Sequence, residues 1–150
     1  KVGDEWKSLI TEIVSLQKAG INLEEAGPGG LLGVLTMLDP SLTKSDSLAG
    51  NVAGHPGKLP PVWDELDLEI HLLERIVGTK ELQKVEPIRK NEVLMVNVWT
   101  SRSVGVVTDI AGDSIKLKLK LPVCADKGSR VVISRQIGGR WRLVGWGIMK

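Results

Sequence analysis

Arginines near the C terminus are the side chains whose type and spacing most clearly suit a chemical task. Arg135, Arg140 and Arg142 lie on either side of the pair Gly138-Gly139. A guanidinium group binds two phosphate oxygens through parallel hydrogen bonds, and a tight turn would hold the three groups close together. We therefore interpret Arg135, Arg140 and Arg142 as candidate contacts with RNA or with another phosphate-rich surface.

Three lysines form a second basic group, with one residue between each of them. Lys116, Lys118 and Lys120 alternate with isoleucine and leucine, so on a strand all three would lie on the same face. Such a face could bind an anionic partner. Lysine on an exposed strand also prevents unwanted pairing with other sheets, and this second interpretation stays open.

The charge of the chain is divided unevenly along its length. The net charge is +2, yet residues 1–100 carry 10 Lys or Arg against 15 Asp or Glu, and residues 101–150 carry 10 against 3. The C-terminal third is therefore the basic part, which favours an anionic partner for that region.

Motifs for catalysis or metal binding are weak in this sequence. Gly57-Lys58 resembles the end of a phosphate-binding loop, but Val52 and Leu59 replace the glycine and the hydroxyl residue that such a loop needs. His71 has carboxylates nearby in sequence, for which a solvated pair on a strand face is the ordinary explanation. His55 has no second histidine or cysteine beside it. We predict that this chain is not an enzyme and binds no metal.

Composition indicates a globular protein of the cytoplasm. Apolar residues make up 42% of the chain and charged residues 25%, which is ordinary for a folded domain. No apolar run approaches the roughly 20 residues that cross a bilayer, so we expect no membrane partner. Cys124 is the only cysteine, which fits a reducing compartment.

Strand patterns dominate the elements that would position these side chains. Alternation of apolar and polar residues is most regular at residues 115–123, and Gly138-Gly139 separates two β-branched runs as in a hairpin. The pattern predicts an all-β fold with an antiparallel sheet or barrel. Its predicted strands are residues 66–72, 91–98, 104–110 and 115–123, followed by the two halves of residues 131–150.

Two tryptophans lie on the last of these predicted strands. Trp141 and Trp146 are five residues apart, so regular alternation would put them on opposite faces. We expect one of them in the core and the other partly exposed.

A segment rich in proline and glycine divides the chain. Residues 54–61 read GHPGKLPP and are predicted to form an extended linker. We therefore place a partial barrel at residues 1–54, a linker at 55–62 and a second barrel at 63–150. In the first part, residues 11–16 and 31–38 are predicted to be buried or half-buried strands, although so short a domain would need a partner.

Several segments resemble one family, in the same order along the chain. They are GPGGLLGVLTMLD at residues 27–39, DPSLTK at 39–44, GKLPPVW at 57–63, LLER at 72–75, VEPI at 85–88, NEVL at 91–94 and ISRQIGGRWRLVGWG at 133–147. Each is similar to a segment of the gamma subunit of archaeal and eukaryotic translation initiation factor 2. By this resemblance the chain is identified as a member of that family.

The resemblance implies antiparallel β-barrels of the elongation factor Tu type. In that family a GTPase domain is followed by two barrels, and the similar segments would place residues 1–54 in an incomplete second domain and residues 63–150 in a complete third domain. GTP and magnesium belong to the GTPase domain, so the resemblance implies no cofactor in this chain.

The resemblance also implies partners and sites. Family members in the GTP-bound state deliver methionyl initiator tRNA to the small ribosomal subunit, and their second domain docks the alpha subunit. The residues that match the strand near the acceptor end of the tRNA are Gly33, Val34, Leu35 and Thr36. The basic residues expected to face RNA or the ribosome are Arg135, Arg140, Arg142, Lys116, Lys118 and Lys120.

The sequence departs from the family in two places. Leu35 and Met37 stand where the family usually has glycine and lysine, and Trp99 stands where a glycine is usual before Thr100. The alternative hypothesis is therefore an engineered or divergent structural β-barrel derived from these domains, with no RNA binding of its own.

Overall fold

The structure is a computed structural model that describes residue 6, residues 8–78 and residues 83–150. The chain forms two compact units, Lys1–Leu48 and Ala49–Lys150. We call them unit 1 and unit 2 and describe each by itself. The division falls after residue 48, whereas the sequence predicted a boundary at residue 54. Residues 49–62 therefore belong to unit 2, and there the hydroxyl group of Ser101 donates a hydrogen bond to the carbonyl of Gly50.

Unit 1 contains a small antiparallel sheet of short strands in the order β2-β1-β3. Its elements are β1 (Ile13–Lys18), β2 (Ile21–Leu23), β3 (Gly33–Thr36), the helical turn α1 (Pro40–Thr43) and a 3-10 turn (Lys44–Asp46). β1 and β3 lie where strands were predicted. The sequence missed β2, because three residues carry too little alternation to be recognised.

The strands of unit 1 were expected to be buried or half-buried, and they are mostly exposed, with one half-buried position each on β1 and β3. No described residue of this unit is buried, and Ile10, Leu31 and Met37 are 79%, 90% and 72% exposed. Aliphatic residues give the strands apolar faces, but covering such faces requires a second layer of structure. The described residues of unit 1 do not supply that layer.

Unit 2 forms, among its described residues, a closed antiparallel barrel of six strands. They are β4 (Val62–Leu72), β5 (Val93–Val98), β6 (Ser101–Ala111), β7 (Ser114–Cys124), β8 (Arg130–Ile137) and β9 (Arg140–Met149). They follow the order β4-β7-β6-β5-β8-β9, and pairing of β9 with β4 closes the barrel. The predicted all-β fold is confirmed, and closure pairs each of these strands on both sides.

Alternation along the strands builds the core of the barrel. On β5, Leu94, Val96 and Val98 are fully buried, and on β7 so are Ile115 and Leu117. The residues between them point outward, as the period of two predicted. Burial of these aliphatic side chains is the main stabilising contribution to unit 2.

Two tight turns depend on glycine. Gly138 and Gly139 have φ angles of +56° and +75° between β8 and β9, and Gly112 has +59° between β6 and β7. Residues with a Cβ rarely adopt this left-handed conformation, which two-residue hairpin turns require. The hairpin predicted from Gly138-Gly139 is therefore confirmed.

A β-bulge in this hairpin overturns the prediction for the two tryptophans. Val144 has no partner in the register between β8 and β9, so β9 carries one extra residue there. Trp141 pairs with Gln136, and Trp146 pairs with Val132. Because Val132 and Gln136 lie on the outer side of β8, both tryptophans are on the outer face and half-buried. The extra residue shifts the alternation of β9 by one, which the sequence pattern did not reveal.

Candidate basic surface of the barrel

Arg135 is held within the structure by hydrogen bonds. The residues two and four positions before Arg135 on β8 are buried. Because side chains alternate along a strand, the side chain of Arg135 lies on the same inner face, at one end of the barrel. Its guanidinium group donates two hydrogen bonds to the carboxylate of Glu92. It also donates to the backbone carbonyls of Glu86 and Pro87, at 2.9 and 3.1 Å.

The pair formed by Arg135 and Glu92 links β8 to the segment before β5. The two side chains are only 15% and 18% exposed. Glu92 also accepts a hydrogen bond of 2.8 Å from the backbone N–H of Arg89. With four hydrogen bonds already made, the guanidinium group has little capacity left for a phosphate. Arg135 is therefore a weaker candidate for an RNA contact than an arginine whose donors are free.

Arg140 and Arg142 lie on the other side of the turn and keep free donors. Arg140 is exposed at the start of β9, and Arg142 is half-buried beside Gly78. The guanidinium group of neither arginine forms an ion pair or a hydrogen bond with any residue in the described ranges. These two arginines remain available to an anionic partner.

Two of the three lysines on β7 lie beside carboxylates. The Nζ atom of Lys118 is 2.7 Å from Oδ2 of Asp64; this hydrogen-bonded pair holds the pKa of Asp64 below its ordinary value and raises the pKa of Lys118. Lys116 pairs in register with Asp67 on β4 and with Asp109 on β6. Asp64 offsets the charge of Lys118, whereas Lys116 has aspartates as neighbours in register without an ion pair in the described residues, and Asp109 pairs with Lys90 at 4.0 Å. Carboxylates among the lysines fit a solvated protective face better than a phosphate site.

Lys120 has a different environment from the other two lysines. Together with Arg102 it lines a shallow groove of about 440 Å³, whose other lining residues include Met95, Val104 and Trp141. Neither cation forms an ion pair or a hydrogen bond with a residue that the structure describes. Sequence reasoning missed Arg102 because β6 begins earlier than the strand predicted at residues 104–110.

A second aromatic and basic cluster surrounds Trp146. The ring of His71 stacks on Trp146 with 4.1 Å between ring centroids, and the guanidinium carbon of Arg130 is 4.6 Å from the centroid of the Trp146 ring. Glu69 lies 4.0 Å from His71. Stacking on Trp146 across the strands and the neighbouring carboxylate of Glu69 on the same strand therefore account for His71. The sequence suggested the solvated pair with a carboxylate but not the stacking.

The four residues matched to the tRNA acceptor end form β3 of unit 1. Val34 and Leu35 are 46% and 58% exposed, and the hydroxyl of Thr36 accepts a hydrogen bond from the N–H of Leu38 at 3.4 Å. In the described sheet, β3 is at the edge and pairs only with β1. An edge strand carries free backbone groups that can bind a ligand or another strand. A role for Gly33 to Thr36 in tRNA binding stays a prediction.

Within residues 8–78 and 83–150, no three His, Cys, Asp or Glu side chains are grouped as they would be around a metal ion. In those ranges no helix has the length and apolar character needed to cross a membrane. The described side chains can donate hydrogen bonds to a partner through unpaired arginines and lysines, and they can make apolar contacts next to those cations.

Comparison with known proteins gives consistent matches. A family model described as "Initiation factor eIF2 gamma, C terminal" matches residues 64–149. The translation initiation factor 2 subunit gamma of Pyrococcus abyssi is 62% identical over 146 residues, which cover 97% of this chain and 36% of that protein. The same subunit of Thermococcus onnurineus is 60% identical over 146 residues, with the same coverage. That of Methanocaldococcus jannaschii is 53% identical over 145 residues, covering 97% of this chain and 35% of the relative.

The matches cover nearly all of this chain but only part of each relative. The chain spans about a third of the length of the relatives, and their GTPase part lies outside the matched region. The family model covers more than half of the chain and nearly the whole barrel from β4 to β9. The chain therefore belongs to the family of the gamma subunit of translation initiation factor 2 and corresponds to the C-terminal β-barrel region of that subunit.

Proposed function

We propose that this chain works as the β-barrel part of a translation initiation factor 2 gamma subunit, which in the GTP-bound heterotrimer delivers methionyl initiator tRNA to the small ribosomal subunit. One observation carries the proposal. Identity of 53–62% extends over 145 or 146 residues and runs through both units. A shared fold requires far less identity than this, so the match supports a shared role as well.

The proposal assigns partners to each unit in the assembled factor. Unit 1 would lie near the acceptor end of the initiator tRNA through Gly33 to Thr36, and it would dock the alpha subunit. Unit 2 would face the small ribosomal subunit in the cytoplasm. GTP and magnesium would be held by the rest of the gamma subunit and not by this chain.

Arg140 and Arg142 are the predicted basic residues that fit an RNA contact best. Both keep free donors, whereas Lys116 lies between two aspartates and Arg135 is occupied by Glu92. Each phosphate contact by a cation releases condensed counterions, so binding through these arginines weakens as the salt concentration rises.

Titration of labelled initiator tRNA with the 150-residue chain tests the proposal. We expect binding that weakens with salt, and a further loss of about fivefold in an Arg140→Ala/Arg142→Ala variant. Lys116→Ala is the matched control and should change the affinity less, because Lys116 lies on β7 outside the last hairpin and its neighbours in register are Asp67 and Asp109. If a folded chain does not bind at low salt, the alternative of a structural barrel without RNA binding is favoured.

A further inference from the structure

The outer face of the barrel carries an apolar stripe on β5 and β6. Val93 pairs across the strands with Val106, and Met95 pairs with Val104. All four point away from the core, since their neighbours on each strand are buried, and Val93 and Val106 are 48% and 41% exposed. We call Val93, Met95, Val104 and Val106 the outer stripe. Val93 and Val106 are exposed and Met95 and Val104 are half-buried, so the outer stripe presents a small continuous apolar surface to a partner.

Two cations lie at one end of the outer stripe. The next outward pair on β5 and β6 joins Asn97 with Arg102, and Lys120 lines the same groove as Arg102, Met95 and Val104. On this face of the barrel Lys118 has a carboxylate partner 2.7 Å away. Arg102 and Lys120, in contrast, have no described carboxylate within ion-pair distance. Their charge is available to carboxylates that come from another molecule.

The chemistry of this surface favours a protein segment over RNA. RNA affinity grows with the number of phosphates that a protein neutralises, and two cations supply few such contacts. The outer stripe would gain nothing from phosphate or ribose, because its four side chains are aliphatic. Trp141 lines the groove but is half-buried, so it offers a small area for stacking with a base. An apolar side chain placed on the outer stripe would be removed from water together with it.

We propose that the outer stripe and the groove together bind an acidic segment of another protein. In this arrangement one or two apolar side chains of the segment cover Val93, Met95, Val104 and Val106, and its carboxylates pair with Arg102 and Lys120. The inference does not depend on tRNA delivery, since it uses neither β3 nor the arginines of the last hairpin. Charge complementarity at the groove sets the direction in which the segment lies.

Nuclear magnetic resonance of the isotopically labelled full chain tests this inference. The probe is a short synthetic peptide of aspartate, glutamate, leucine and phenylalanine, compared with a peptide in which serine replaces both apolar residue types. We expect the first peptide to shift the backbone amides of the outer stripe, Arg102 and Lys120, and the indole N–H of Trp141. The serine peptide should bind at least about fivefold more weakly, because it cannot cover the stripe.

Variants show which residues carry the binding. Arg102→Glu/Lys120→Glu should weaken the peptide at least about tenfold, and Val106→Thr should weaken it without changing side-chain volume. Lys116→Ala, on the same strand as Lys120 but outside the groove, should leave the affinity unchanged. An unshifted outer stripe, or equal binding of the two peptides, overturns the proposal. Tighter binding of an oligouridylate at these same residues overturns it in favour of an RNA surface.

Discussion

Arg135 has a structural role in the barrel, although its charge would also suit binding to phosphate. It joins β8 to the segment before β5 through Glu92 and the carbonyls of Glu86 and Pro87. Removing the guanidinium group would leave the mostly buried carboxylate of Glu92 without its cation, and the two carbonyls would lose the donor that Arg135 supplies. We expect Arg135→Ala to lower the free energy of unfolding by about 2 kcal/mol, as measured by denaturant titration.

Arg140→Ala is the matched control for this prediction. Arg140 is exposed and its side chain has no partner among the described residues, so its truncation should change the free energy of unfolding by less than about 0.5 kcal/mol. Equal losses in the two variants would contradict the structural assignment of Arg135.

The alternation of β8 predicts that Arg135 lies on the inner face. It does not predict that Glu92 is the partner of Arg135. Val131, Ile133 and Arg135 are odd-numbered residues of one strand, so they share a face. The charge of Arg135 suggested a phosphate contact, whereas its register placed it with the core residues. Glu92 is 43 residues away in sequence, and only the folded barrel brings the two side chains together.

Cys124 is a half-buried thiol whose reactivity we expect to be lowered. Its Sγ donates a hydrogen bond to the carbonyl of Pro60 at 3.2 Å, and burial raises the pKa of the Cys124 thiol, with a further contribution from the charge of Asp126. A raised pKa means a smaller thiolate fraction below the ordinary thiol pKa.

Alkylation of Cys124 measures this effect. At about pH 8 we expect iodoacetamide to react at least about fivefold more slowly with the folded chain than with the denatured chain. The difference should narrow as the pH rises and the folded thiol ionises. Equal rates in the folded and denatured chains at the lower pH would contradict a buried, neutral thiol.

At the scale of elements, closure of the barrel depends on a close approach between β4 and β9. A Cβ atom placed on Gly145 would lie 2.5 Å from the backbone oxygen of His71, so a larger residue would push the two strands apart. We expect Gly145→Ala to lower the free energy of unfolding by more than about 2 kcal/mol in thermal or denaturant unfolding.

Gly27→Ala provides the comparison for that variant. A Cβ on Gly27 would meet nothing within 4 Å, and its φ lies outside the left-handed region. Its substitution should therefore be nearly neutral, within about 0.5 kcal/mol. Similar stability of the two variants would mean that β4 and β9 do not pack as described.

The strands themselves were predictable from the sequence, and the bulge was not. Alternation at β7 and the glycine pair before β9 are local signals, and they predicted elements that the structure contains. Most residues from Leu143 to Met149 are apolar or glycine, so alternation there is too weak to show that Val144 is an extra residue. Bulges depend on the pairing of two strands, which a single segment does not encode visibly.

At the scale of the whole molecule, the two units differ in how much surface they bury. Unit 2 contains all of the buried core residues among those described, whereas no described residue of unit 1 is buried. A chain of residues 49–150 should therefore fold by itself and unfold at a temperature close to that of the full chain. Circular dichroism during heating measures both.

Hydrogen exchange provides a second measurement of the same difference. Amides of the strands in unit 2 should be strongly protected, and those of β1 to β3 should exchange quickly in the isolated chain. Slow exchange throughout unit 1 would contradict this prediction, as would failure of residues 49–150 to fold.

Sequence reasoning was strongest for the barrel and weakest for unit 1 and the surface. Regular alternation identifies core positions because one face of each strand is buried. Exposure in unit 1 could not be predicted, because the apolar pattern of a strand is the same whether or not a second layer covers it. The ion pairs of Lys118 and Arg135 join strands distant in sequence, so they too required the fold.

We propose above that the chain supplies the β-barrel part of a functional gamma subunit. The most direct measurement uses the gamma subunit of Pyrococcus abyssi with its matched region replaced by this chain and assembled with its alpha subunit. The affinity of the GTP-bound assembly for methionyl initiator tRNA should stay within about tenfold of the parent value, which is about 1.4 kcal/mol. A folded, assembled chimera that loses more than this affinity would contradict the claim.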